Sequence, residues 1–467
     1  MRSQSSSTPF TRSFFHFFFH RPFPSGSLKR ITLVAAFSYA GLSAFAQLPH
    51  LPPAVVLKEN NVGILSEVSP AAVGMSAERL GRIDDLIKEY VDKRWIAGAT
   101  IMIARKGKIV YYKGLGYDDI DKKTSMKKDA ICRIASQTKA ITSVAVMMLY
   151  EQGKLLLNDP VSKYIPEFRN QKVLDKFNAA DTTYTTVPVK REITIHDLLT
   201  HTSGIDYAQI GSKESNAIYY KAGVVGGIGV DKILLADKMK ILGGLPLMHQ
   251  PGTKWTYGLN TDLLGRIVEI ISGISLDEFL RKKIFEPLGM KDTYFYLPKE
   301  KRNRLATLYS EDSTRHIIKD GETYQMNGVM YVNYPDMDGT YFSGGGGLSS
   351  TAYDYCIFMQ MLLNGGEYNG KRILGRSSIR MMTTNQIGDL FNGDDKFGLG
   401  FGIFTDKTAA KSPPSEGTFY WGGLFSSSYW IDPKEKIIAQ FFLQQYPNSH
   451  GEIHEKFKAL VYQAIND

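Results

Sequence analysis

Two cysteines in 467 residues, Cys132 and Cys356, are too few for a disulfide framework, so burial has to carry the fold. They flank different apolar segments and read as small buried hydrophobes. No Gly-x-Ser-x-Gly occurs anywhere, which excludes the nucleophile elbow of the α/β-hydrolases. Internal repeats are missing, and so is any Asp or Glu from the first 46 positions. The formal charge of +9 owes five units to Arg2, Arg12, Arg21, Lys29 and Arg30 in that stretch; beyond it 51 basic residues face 47 acidic ones. That balance is too mild to imply a nucleic-acid partner.

The N-terminus has a secretory pattern: Lys29-Arg30, an apolar run from Ile31 to Phe37, and small residues at Ala44-Phe45-Ala46. Residues 1–46 are therefore expected to be a signal peptide, cleaved before Gln47, and the chain to be exported to a periplasmic or extracellular space. An apolar stretch of about 16 residues is short for a bilayer crossing, so no stable membrane span is expected after cleavage. No cysteine stands near the cut to carry a lipid anchor.

At 43% hydrophobic content the exported part is globular. After a Pro-rich lead, Ser76 caps an amphipathic helix to about Val91, and the runs Ala99 to Ala104 and Lys108 to Tyr112 form a hairpin around Arg105-Lys106-Gly107. From about Asp159 to Lys299 short helices and long loops prevail, clearest at Ile193 to Leu199, Asp262 to Ser272 and Leu276 to Phe285. A helix over Ala352 to Asn364 then precedes strands at Gly398 to Phe404, Thr418 to Trp421, Ser427 to Ile431 and Lys436 to Gln444, and a final helix from Glu452 to Ala464. This predicts an α+β fold: an antiparallel sheet built from both ends of the chain and flanked by helices, with a mainly helical region inserted. The expected divisions are a lead over 47–74, an α/β domain from 75–158 with 336–467, and a helical domain over 159–335.

Ser136 and Lys139 stand three residues apart at the head of Ala140 to Leu149, which is apolar nearly all round and reads as a buried helix. Three residues is almost one helical turn, so hydroxyl and amine emerge on one face, where a lysine with suppressed charge can take the serine proton. The free N–H groups of a first turn favour developing negative charge. The same spacing recurs at Ser125-Met126-Lys127-Lys128, but in a lysine-rich, solvated run that leaves its lysine an ordinary cation.

Three further blocks accompany this pair: Ile193-Thr194-Ile195-His196-Asp197-Leu198-Leu199-Thr200-His201-Thr202-Ser203-Gly204, Pro251-Gly252-Thr253-Lys254-Trp255-Thr256-Tyr257, and Ser343-Gly344-Gly345-Gly346-Gly347-Leu348. With them the chain resembles the serine β-lactamase and penicillin-binding-protein superfamily, in its class C-like branch and closest to the family VIII carboxylesterases, over roughly residues 75 to 465. The resemblance implies a β-lactamase/transpeptidase-like fold and a cofactor-free, metal-free acyl-enzyme mechanism. Ser136 would be the nucleophile, Lys139 and Tyr257 the shared base, the backbone N–H groups of Ser136 and Leu424 the oxyanion hole, and Trp421, Gly422 and Gly423 the substrate-binding edge.

Two departures bear on substrate. Where the lactamases carry Tyr-x-Asn, this chain has Tyr257-Gly258-Leu259 with Asn260 one place late. Where they carry Lys-Thr-Gly, it has Trp421-Gly422-Gly423. Losing an amide and a cation weakens recognition of carboxylated β-lactams, while an indole suits an acyl or alkoxy group. A carboxylesterase for small or medium acyl esters is the leading expectation, ahead of a β-lactamase or D-alanyl-D-alanine carboxypeptidase, a transacylase, and a catalytically silent envelope binding protein. The expected partner is a small-molecule ester or β-lactam-like substrate.

His196 and His201 read as loop and cap residues, and His450 with His454 as a surface pair that lacks a third metal ligand. Gly365 to Arg372 falls short of a phosphate loop, because Arg372 stands where Ser or Thr must hold the metal; it reads as a helix-ending turn.

Overall fold

The computed structural model describes residues 64–467 apart from 231, 322, 326–328 and 392. The expected signal peptide and the first part of the lead lie outside the described residues.

An eight-stranded antiparallel sheet organises the molecule. Its order runs Lys396–Phe397, Gly402–Ile403, Phe419–Gly423, Ser427–Asp432, Ile437–Phe442, Gly98–Arg105, Lys108–Asp119, Thr124–Ser125. The first and last segments of the chain meet at its centre, where Gly98–Arg105 pairs with Ile437–Phe442, Thr100 opposite Phe442. All eight residues of Gly98–Arg105 are buried. The reason is its position between two helical layers: alternate side chains serve different cores, Ala99, Ile101 and Ile103 one, Met102 and Ala104 the other.

The helices Ala77–Asp92 and Ile453–Tyr462 cover the first face, and Ala352–Leu363 packs on the second. Ser76 caps the first of these, accepting from the Arg79 N–H at 3.2 Å. Thr138–Glu151 lies in the larger core with all but Met148, Tyr150 and Glu151 buried, and packs on Asn260–Ser272 of the inserted region. Cys132 and Cys356 are buried free thiols.

Several expectations are corrected. Gly398 to Phe404 is not one strand but the turn and second arm of a tight hairpin, because Gly400 takes a left-handed φ of 95° and the Gly398 N–H bonds Phe401 O at 2.8 Å. The inserted region is less helical than expected: hairpins form at Lys172–Phe177 with Tyr184–Pro188, at Tyr309–Glu311 with Ile317–Lys319, and at Thr323–Gln325 with Val329–Tyr331. Helix Leu276–Leu280 passes into a π-helical turn over Arg281–Phe285. His450 and His454 are not a surface pair. His450 stacks on Trp95 at 4.2 Å, while His454 bonds Ser428 Oγ through Nδ1 at 2.9 Å, and burial first, then Lys458, lowers its pKa to about 4.

Candidate active site

Ser136 is the middle residue of a single 3₁₀ turn, Ala135–Gln137, that runs directly into helix Thr138–Glu151. Ala135 just before it is held at φ 43°, a left-handed conformation that an L side chain keeps only when its surroundings impose it. Those surroundings are explicit. Ile134 N–H donates to Leu348 O at 3.1 Å, the Leu348 N–H to Thr138 Oγ1 at 3.1 Å, and Tyr355 Oη to Gln137 O at 3.0 Å. Strand Phe419–Gly423 closes the other side; a Cβ on Gly423 would come within 2.4 Å of Ile134 O, so only glycine lets the strand approach this near.

Lys139 is 2% exposed, and its Nζ lies within hydrogen-bond distance of three uncharged oxygens: Ser136 Oγ at 3.3 Å, Tyr207 Oη at 2.9 Å and Gly345 O at 2.6 Å. Its nitrogen also lies 4.6 Å from the ring centre of Tyr257. Tyr257 and Tyr207 have ring centres 5.3 Å apart and share one cavity wall with Ser136. Burial first, then Tyr257 and Asp262, push the Tyr207 phenol well above its ordinary range, so it stays protonated.

Sequence reasoning expected Tyr257 beside Lys139 and missed Tyr207, which takes the direct hydrogen bond. Its only local signal is Asp206, whose carboxylate ties the loop around it by accepting from the N–H groups of Tyr207 at 2.8 Å and Ser212 at 2.9 Å and from Ser215 Oγ at 2.9 Å.

His201 sits behind Tyr257 with ring centres 5.0 Å apart. Desolvation, helped by Lys139, holds it well below its ordinary pKa, so it is neutral. Asn260, the displaced amide, is spent there: its Nδ2 pairs with His201 Nδ1 at 2.9 Å and its Oδ1 accepts from Ser203 Oγ at 2.5 Å. Asp197 completes a capping box with Thr194 and binds Arg191 at 2.5 Å and 2.8 Å.

Leu424 lines the cavity with Ser136. Trp421, Gly422 and Gly423 are not among the lining residues; the Trp421 ring packs 5.7 Å from Tyr257 and 5.5 Å from Phe397. Among the described residues no group of three His, Cys, Asp or Glu side chains could hold a metal ion, and no helix is long and apolar enough to cross a membrane. The arrangement places a hydroxyl and two phenols on one cavity, with an amine behind the hydroxyl, which equips it to exchange a proton while a serine attacks a carbonyl.

A family profile described as Beta-lactamase matches residues 83–463. The chain belongs to the Beta-lactamase family. It is a serine hydrolase of the β-lactamase/transpeptidase fold, on a branch with esterase relatives. It is 35% identical over 375 residues to Protein Rv1367c of Mycobacterium tuberculosis, covering 78% of this chain and 89% of that one. Esterase EstB of Burkholderia gladioli is 28% identical over 379 residues, 79% of this chain and 91% of its own. Among solved structures, EstCE1, described as a hydrolase with promiscuous acyltransferase activity, superposes with a TM-score of 0.71 at 25% identity, over 82% of this chain and 99% of that one.

Proposed function

We propose that this member of the family is an exported carboxylesterase that cleaves small or medium acyl esters through an acyl-enzyme on Ser136. The observation that carries the reading is the cavity Ser136 opens into. It measures about 200 Å³, below the roughly 300–1,000 Å³ usual for drug-sized ligands. Ile210, Val224, Val225, Ile228, Val230 and Met330 contribute to its wall, and among the described residues no charged side chain lines it. Such a wall suits an aliphatic acyl group and offers a β-lactam carboxylate no cation.

Ser136 Oγ attacks the ester carbonyl while its proton passes to Lys139. The N–H groups of Ser136 and Leu424 hold the oxyanion, and the proton goes on to the departing alkoxide as the acyl-enzyme forms. Tyr207 and Tyr257 carry the proton between these positions, and water then releases the acid by the reverse relay.

Turnover of p-nitrophenyl butyrate, lost in Ser136→Ala, tests this; unchanged turnover in that variant would end it. Nitrocefin hydrolysis exceeding ester turnover would favour the β-lactamase alternative, and a Ser136 that a fluorophosphonate leaves unmodified would favour a silent binding protein. Acyl transfer is the second reading, supported by the likeness to EstCE1. Added short alcohols that divert the butyryl group into a new ester faster than water releases it would favour that reading. Export is tested by N-terminal sequencing of secreted protein, expected to start at Gln47.

A further inference from the structure

Asp262 is a carboxylate that the reaction above leaves unused. It lies in helix Asn260–Ser272, five residues past Tyr257, and is 1% exposed. Ser343 Oγ donates to its Oδ1 at 2.6 Å, while Oδ2 makes no well-formed hydrogen bond and is turned toward the Gly345 backbone. A Cβ on Gly345 would stand 2.3 Å from Asp262 Oδ2 and 3.5 Å from Lys139 Nζ. The carboxylate and the amine are thus separated by the width of a bare backbone, whose carbonyl binds the amine at 2.6 Å. Burying an acid whose second oxygen faces only backbone is costly, which calls for a charge to oppose it.

We propose that Asp262 is the fixed countercharge of Lys139, steadied by Ser343 and held off by Gly345, so that it stabilises the ammonium formed when Ser136 gives up its proton. This rests on the Ser136 reading and makes Asp262 a positioning residue, since it lines no part of the cavity. The spacing matters. An acid in direct contact would fix the proton on Lys139, and none at all would leave the buried ammonium unsupported when Ser136 Oγ bonds the acyl carbon and its proton moves to Nζ. The run Ser343-Gly344-Gly345 acquires a chemical purpose here: a hydroxyl to hold the acid and a residue without a side chain to space it.

The other groups facing the pair are accounted for. Tyr207 and Tyr341, which both feel Asp262, are phenols pushed well above their ordinary range by burial and stay neutral. His201, which feels Lys139, is also neutral, and Tyr257 presents its ring. Asp262 itself is raised, by burial first, with Ser343 and Lys139 opposing.

The test is the rate of Ser136 labelling by a fluorophosphonate across pH in the full chain, compared with Asp262→Asn and Ser343→Ala. Removing the negative charge makes the ammonium less favourable, so the acid limb should move to lower pH by about one to three units in Asp262→Asn and by less in Ser343→Ala. The plateau should fall about tenfold or more as the base weakens, with KM for p-nitrophenyl butyrate within about twofold of wild type. An unshifted limb in folded Asp262→Asn, or a lower plateau without a shift, overturns the proposal. Should Asp262→Asn not fold, the limb of Ser343→Ala decides in the same way. A wild-type Ser136 that takes no label removes the serine reading first and this inference with it, whereas normal labelling with identical pH limbs removes this inference alone.

Discussion

The chain carries the same four-residue spacing twice, and the two copies share nothing else. Ser125 forms part of a two-residue strand at the sheet edge, exposed to solvent, and Lys128 reaches Glu67 at 3.0 Å across a surface where both side chains are at least half exposed. Ser136 and Lys139 occupy a strained turn and the first residues of a buried helix. In the edge copy the strand ends at Ser125 and the chain turns by Lys128, so no helical turn brings the two side chains together; in the buried copy, helical backbone brings them within 3.3 Å. Environment then separates them further. An exposed lysine keeps its water, while Lys139 has exchanged water for three neutral oxygens.

The sharpest way to break this contrast is to remove each serine. Ser136→Ala is expected to lower kcat for p-nitrophenyl butyrate by about 10⁴-fold or more, and Ser125→Ala to leave it unchanged; a loss in the second variant would defeat the distinction. Next come the lysines. Lys139→Met should reduce kcat/KM by about 10²- to 10⁴-fold, measured with protein whose melting is still cooperative, against no measurable effect for Lys128→Met.

Tyr207→Phe sharpens the buried side. Removing the hydroxyl that binds Lys139 at 2.9 Å should cost roughly 10- to 100-fold in kcat. Wild-type kinetics there would mean that Tyr257 serves the lysine alone.

Stability offers a smaller contrast. Asp197→Ala, which strips the Arg191 pair and the capping box from a buried acid, should destabilise by about 2–4 kcal/mol in urea unfolding. Lys128→Ala should stay within about 0.5 kcal/mol, because its exposed ion pair is screened by solvent.

The smallest effect concerns pH. His201, His249 and His454 all have folded pKa values below the ordinary one, so the unfolded chain binds more protons as pH falls through that ordinary value. Their stabilisation is complete above about pH 6.5 and declines as pH falls further. His201→Asn should flatten part of that decline in melting temperature, and an identical slope would show that His201 is not among its causes.

Much of the scaffold was legible because its signals are local. The apolar run at Ala99 to Ala104, the cap at Ser76 and the apolar helix after Lys139 each need only neighbours a few residues away. The hairpins of the inserted region were missed because their strands are short and polar, with Lys172–Phe177 and Tyr184–Pro188 largely exposed. Gly398 to Phe404 misled because its first residues form the turn of a hairpin and only Gly402–Ile403 is strand. Trp421 was expected on the substrate wall from its place in a block; packing against Tyr257 and Phe397 sets where the ring lies.

By itself the sequence determined that one serine and one lysine share a helical face and that the two ends of the chain supply a common sheet. Only the tertiary structure decided that Tyr207, 68 residues away, joins Tyr257 beside that lysine, and that an acid stands one glycine behind it. The physical reason is range. Helical periodicity is fixed by bonds within a turn, whereas proximity between distant segments follows from how buried surfaces settle against one another, and no local spacing encodes that.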